Sequence, residues 1–261
     1  MGKNIAFNQF FTAEDISEPL ASVASNEQWK IEDYFENKNY DVIGYEENDR
    51  VIGYLEIDKK YEFTNLRNTV NDFSISDLIT NNTNLLDCLK LLKINTRLFV
   101  INKSQIVSIV TESDIQKPAV RMLFFGIITF FESKVAELID EVYPDDEWVP
   151  LLNDGRIIAA RKIYKGFVDK NQETNLISCT QICDKTELLY KSEELLKEYV
   201  DMSKTGAKSF FRSIEGFRNA LAHAEPLTLW SEEKDIIELT DELIIITEKV
   251  INRKTATVTE V

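Results

Sequence analysis

Histidine is nearly absent from this chain: His223 is the only one in 261 residues. Cysteine is scarce as well. Cys88, Cys179 and Cys183 make an odd count with no secretory context, so reduced thiols in a cytoplasmic setting are the expectation. Cys179 and Cys183 lie one helical turn apart, but with one histidine and no other cysteine near them no metal site is expected. Basic residues are outnumbered, 30 Lys and Arg against 45 Asp and Glu, for a net charge of −15. That balance excludes a general nucleic-acid coat protein, because phosphate binding needs clustered cations. Long apolar runs are missing too. The strongest, at 119–131, is broken by Arg121 and followed by Glu132 and Lys134; it is too short for a bilayer and reads as a buried helix. No basic, apolar and small-residue series opens the chain, so neither a signal peptide nor a membrane partner is expected.

What is present describes a globular protein with room for two domains, at 44% hydrophobic and 29% charged residues. Residues 1–117 alternate helical and β-rich stretches, and do so twice. A helical stretch at 26–38 precedes the β-rich runs 40–45 and 50–57, joined by a turn at Glu47-Asn48-Asp49. Ser76-Asp77-Leu78-Ile79 then precedes an Asn-rich loop and a helix with Leu85, Leu86, Leu89 and Leu92 at helical spacing. Strands at 97–101 and 105–110 follow around Asn102-Lys103-Ser104. An internal repeat of a helix and two strands is predicted, at about 14–60 and 74–117.

Ser76-Asp77-Leu78-Ile79, Arg97-Leu98-Phe99-Val100-Ile101 and Ser108-Ile109-Val110-Thr111-Glu112-Ser113-Asp114 resemble the entry segment, strand and exit of a CBS-domain pair. The resemblance implies nucleotide binding, with Asp114 on ribose hydroxyls and Thr111 on phosphate, and an adenine nucleotide as regulatory ligand. A carboxylate can accept from a diol, and a hydroxyl with free N–H groups suits phosphate. The alternative is that Thr111 or Asp114 caps the next helix. In the first repeat Glu56 stands in place of that threonine and Lys59 in place of the aspartate, so one working site is expected at most.

Pro118 should start a new helix. That helix runs to about residue 142 with Val120, Leu123, Phe124, Ile127, Phe131, Val135, Leu138 and Ile139 on one apolar face. Further helices are expected at about 149–170, with Ile157, Ile158, Ile163 and Phe167 as core, and at 176–200, 204–224 and 232–251. The fold class is therefore α+β, with a repeat pair followed by an all-α bundle over 118–251 and a frayed tail over 252–261.

The fourth of these helices carries the chemistry. Between 204 and 223 the cations Lys204, Lys208, Arg212 and Arg218 face a single carboxylate, Glu215, in an otherwise acidic chain. On a wheel of about 100° per residue, Phe210, Phe211, Ile214, Phe217 and Leu221 gather on one side. Lys204, Lys208, Arg212, Asn219, Ala222 and His223 gather on the other, with Arg218 at the border. Arg218-Asn219-x-x-x-His223, followed by Pro226, resembles the signature of HEPN domains, whose bundles pair to form a ribonuclease site. The resemblance implies metal-independent RNA cleavage in a homodimer, leaving 2′,3′-cyclic phosphate and 5′-hydroxyl ends. In that scheme His223 is general base or acid, Arg218 stabilises the phosphorane charge and Asn219 orients substrate or His223, while Lys204, Lys208 and Arg212 bind RNA. No catalytic cofactor is needed. Arg218 and His223 lie about 140° apart around the axis, which a symmetric dimer would resolve by pairing two such helices.

The resemblance further implies toxin–antitoxin, stress or phage-defence roles, with an antitoxin or regulatory protein as partner. The competing reading is a non-catalytic, nucleotide-sensing dimer whose bundle binds RNA or a partner protein.

Overall fold

The computed structural model describes residues 10–27, 29–57, 63–227 and 235–253. Contacts divide it into two compact units, one ending at Val120 and the other beginning at Arg121. The fold is α+β: among the described residues both sheets belong to the first unit and the second is helical.

The first unit opens with β1 (Glu18–Pro19) and then uses one pattern twice. The first pass is β2 (Ser22–Ala24), a short α1 (Lys30–Glu32) widening into a π turn at Asp33–Asn37, β3 (Val42–Glu47) and β4 (Arg50–Glu56). The second is β5 (Leu78–Thr80), α2 (Leu85–Leu92), β6 (Arg97–Asn102) and β7 (Gln105–Thr111). In each pass the leading strand pairs in parallel with the first strand of an antiparallel hairpin. Both hairpins have strands of six and seven residues, and both shift register at the same step, Tyr45/Glu46 and Val100/Ile101. Their turn residues Asn48, Asp49, Lys103 and Ser104 all have positive φ, the geometry whose twist matches a two-residue hairpin loop. β1 adds to β7, giving sheets ordered β1-β7-β6-β5 and β2-β3-β4.

Val23, Ile31, Phe35, Ile43, Tyr45, Leu55 and Leu66 form the core under the first pass. Gly53 is fixed by close approach, since a Cβ there would meet Val70 at 2.3 Å and the Asn71 carbonyl oxygen at 2.6 Å. In α2 the Asn84 side chain caps the helix by accepting from the Asp87 N–H. Leu85, Leu86, Cys88 and Leu89 are buried there, whereas Leu92 is half-buried.

The second unit is organised by α3 (Pro118–Val142), whose expected apolar residues are all buried. Its Phe124 and Phe131 rings pack on Phe217 and Phe211 of α7 (Lys204–Ala222), at 5.2 and 5.9 Å. Each such buried side chain contributes roughly 2 kcal/mol of transfer free energy. Between them run α4 (Asp154–Val168), α5 (Ile182–Lys191) and the short α6 (Glu193–Leu195), which opens into a π turn at Leu196–Val200. α8 (Ile236–Ile251) follows, capped by Asp235, while residues 232–234 of the expected helix lie outside the described residues.

Four expectations need correction. The helix expected from 149 starts at Asp154, because Val149–Leu151 is a 3-10 turn and Asn153 supplies the cap, accepting from the Arg156 N–H at 3.1 Å. The helix expected over 176–200 is broken at Ser192, whose extended backbone and hydroxyl, accepting from the Leu195 N–H, start a new helix. Of the expected α4 core only Ile157 is buried; Ile158, Ile163 and Phe167 are 69%, 49% and 40% exposed, so these side chains of α4 face solvent. The tail does not fray at once: the Arg253 side chain donates to Glu141 and to the Val250 carbonyl, both at 2.7 Å, and residues 254–261 lie outside the described residues.

Ion pairs also join the helices. Lys185, 2% exposed, donates to Glu132 at 2.9 Å and to the Thr180 carbonyl at 2.7 Å, linking α5 to α3. Arg156 holds Asp184 at 2.6 Å, linking α4 to α5. Its other arm reaches the Cys183 sulfur, yet burial, Asp184 and Glu215 keep that thiol above its ordinary pKa.

Candidate functional site

α7 is built as an amphipathic helix capped at both ends. Ser203 caps its start, accepting from the Gly206 N–H at 3.1 Å. Ala207, Phe211, Ile214, Phe217, Ala220 and Leu221 are buried. Lys204, Lys208 and Arg212 share the exposed face with Asn219, Ala222 and His223. Among the described residues none of these three cations makes an ion pair.

Arg218 is half-buried at the border of the two faces. Its guanidinium donates to Asn219 Oδ1 at 3.3 Å and sits 6.0 Å from the centre of the Phe125 ring on α3. Among the described residues no carboxylate lies within salt-bridge distance of it. His223 is the C-cap. Its backbone N–H donates to the Asn219 carbonyl at 2.9 Å, and among the described residues its exposed ring makes no hydrogen bond. Ala224 follows with φ 56°, and the Glu225 N–H returns to the Ala220 carbonyl at 2.9 Å. These bonds form a Schellman closure with alanine where glycine is usual. Arg121 of α3 then donates to the Glu225 carbonyl at 2.5 Å, fixing the chain beyond the histidine.

The geometry brings Arg218 and Asn219 into contact and leaves the His223 ring apart from both, on an exposed helix end. A guanidinium fork can hold a phosphate and an imidazole can move a proton, so the two groups supply this chemistry when brought to one phosphate. The fixed closure at Ala224 and Arg121 holds His223 in place, a role the sequence signal of the motif did not include.

Thr111 and Asp114 are also brought together, but as a cap. Thr111 ends β7, and Asp114 Oδ2 accepts from its N–H at 2.7 Å and its hydroxyl at 3.2 Å. Asp114 Oδ1 pairs with Lys117 at 2.9 Å, and the residue is 5% exposed. Lys117 also donates to Glu18 and to the Ile16 carbonyl. Burial alone would lower the Lys117 ammonium; its bonds to Glu18 and Asp114 carry it above the usual lysine value. The cap weighed against the ribose role is thus present, with both Asp114 oxygens bonded to this turn. Thr12 and Asp15 repeat the same capping box near the start of the unit, a Thr-x-x-Asp that the sequence reading passed over.

Thr111 additionally lines a cavity of about 450 Å³ with Tyr40, Asp41, Arg97, Glu112 and Ser113. Glu56 ends β4 where Thr111 ends β7, and it takes Arg97 at 2.6 Å and the Asn71 amide at 3.2 Å. Tyr54, Phe73 and Phe99 stack beside it at 4.7 to 5.6 Å. The departure at Glu56 thus has a structural use: an ion pair with Arg97 and a bond from Asn71.

No family model matches the chain, and no curated protein matches it. Among solved structures, a CBS domain-containing protein from Thermotoga maritima is similar at 14% identity over 40% of this chain and 91% of its own, with a TM-score of 0.31. Among the described residues no helix is long and apolar enough to cross a membrane, and no three His, Cys, Asp or Glu side chains gather as metal ligands.

Proposed function

We propose that the helical unit is a metal-independent endoribonuclease of the HEPN type, and that the first unit is a CBS-like pair that senses an adenine nucleotide. The observation that carries the first half is the α7 C-terminus: Arg218 bonds Asn219, lies by Phe125 and meets no carboxylate among the described residues, and the exposed His223 ring makes no hydrogen bond among them. The RNA 2′-hydroxyl attacks the adjacent phosphorus, His223 transfers the proton, and Arg218 offsets charge on the phosphorane. Lys204, Lys208 and Arg212 line the approach for the RNA backbone. A second copy completes the site, because Arg218 and His223 diverge within one helix. Met122 and Phe125 support this pairing, since α3 leaves them 60% and 38% exposed beside the motif.

The repeated βαββ pattern supports the nucleotide-sensing half, with Thr111 at the 450 Å³ cavity as the phosphate contact. Nucleotide control requires the ligand to bind one dimer arrangement better than the other.

The test is cleavage of a mixed RNA pool in EDTA by wild type and His223→Ala, with and without adenine nucleotides. Cutting that the variant loses supports the enzyme; cutting that survives in the variant removes His223 from the mechanism. RNA binding by an intact dimer that never cuts would favour the non-catalytic reading.

A further inference from the structure

α4 carries positive charge that neither the packing of the bundle nor the α7 motif uses. Arg161, Lys162, Lys165 and Lys170 fall within ten residues at its C-terminal end, all exposed. In a chain with 45 carboxylates, none of the four makes a salt bridge or side-chain hydrogen bond among the described residues. The other end of the helix is different: Arg156 is tied to Asp184 and packed. Arg161 and Lys165 are four residues apart and Lys162 and Lys165 three, so these three cations share one face. Lys165 and Lys170 also complement the helix C-terminus, but Arg161 and Lys162 sit too far from it for that effect.

We infer that this face of α4 contacts the phosphate backbone of RNA, extending the substrate track beyond α7; the inference rests on the RNA-cleaving reading of the bundle. Clustered, unpaired, exposed cations are what a phosphate backbone needs, and an acidic protein must concentrate them to bind RNA at all. An anionic membrane surface fits less well. Such helices keep their apolar face apart from their charges, whereas Ile158 lies among these cations, with Ile163 and Phe167 about 140° and 180° round the helix from it. Asp140, Asp145 and Asp146 line a cavity of about 540 Å³ together with Arg161 and Tyr164. The RNA track therefore favours the lysines.

The test uses the full chain carrying His223→Ala, so that bound RNA is not consumed, and measures affinity for a labelled single-stranded RNA across a salt series. Adding Lys162→Gln, Lys165→Gln and Lys170→Gln should reduce the slope of log K against log salt by about 2, at roughly 0.7 per lost phosphate contact. The corresponding Lys→Arg triple should restore it, and an unchanged melting temperature shows that the glutamine triple is folded. An unchanged slope overturns the inference. So does a triple that loses binding only to phosphatidylserine-containing vesicles while RNA affinity stays put, which would make α4 a membrane contact. Slope loss alongside a wild type that cuts nothing keeps this surface and removes the catalytic reading; normal cutting with an unchanged slope does the reverse.

Discussion

Asp114 in the first unit and Arg218 in the second are both charged side chains in short motifs at the end of a regular element, and the molecule treats them oppositely. Asp114 is buried, with two hydrogen bonds from Thr111 on one oxygen and Lys117 on the other. Arg218 touches an amide and an aromatic ring and, among the described residues, no carboxylate. Glu56 belongs with Asp114, held by Arg97 and Asn71. His223, Lys204, Lys208 and Arg212 belong with Arg218. A charge whose partners are all internal stabilises the fold and has little left for a ligand. A charge without partners contributes little to stability and remains available for substrate.

The comparison can be broken at either side. The largest effect should come from the uncommitted groups. His223→Ala should lower RNA cleavage by roughly 10²–10⁴-fold and Arg218→Ala by about 10²–10³-fold, with melting temperatures nearly unchanged, read by single-turnover cleavage and thermal unfolding. A variant that loses activity only by unfolding would move that residue to the structural side.

The internally paired groups should behave the other way. Asp114→Ala should destabilise the protein by about 1–2 kcal/mol in urea unfolding, the usual magnitude for a lost cap. Its Lys117 partner has a raised folded pKa, so its contribution is fully present below the ordinary lysine value and disappears as pH rises through the raised one. Lys117→Met should therefore narrow the stability difference between neutral and strongly alkaline pH, measured by urea unfolding across that range. The smallest effect is at the closure after His223. Ala224→Gly should raise stability by about 1 kcal/mol, because it relieves a left-handed alanine at φ 56°.

Much of this was legible in the sequence where periodicity is strong. Both hairpins and their turns, the start of α3 at Pro118 and the buried face of α3 follow from alternation, turn residues and proline chemistry. The legible signals fail where a polar side chain decides locally. Ser192 breaks an otherwise continuous helical pattern by capping a new turn, and Gln181 and Asp184 form a capping box where an uninterrupted helix was expected. The α4 core was misjudged because helical spacing shows which residues share a face but not how far the neighbouring helices extend along it. At the candidate site, the distribution of Lys204, Arg212, Asn219 and His223 on the exposed face was readable from the wheel. The anchoring of the turn by Arg121, some hundred residues earlier, was not, because a long-range bond to a carbonyl leaves no local pattern.

The most direct measurement uses DNA oligonucleotides with one internal ribonucleotide, incubated with wild-type protein in EDTA. The account predicts a single cut immediately 3′ of the ribonucleotide, with a 2′,3′-cyclic phosphate on one product and a 5′-hydroxyl on the other, and no cut when that residue is 2′-O-methyl. Cleavage at deoxy positions, or undiminished cleavage of the methylated substrate, would contradict attack by the 2′-hydroxyl and with it the role given to His223 and Arg218.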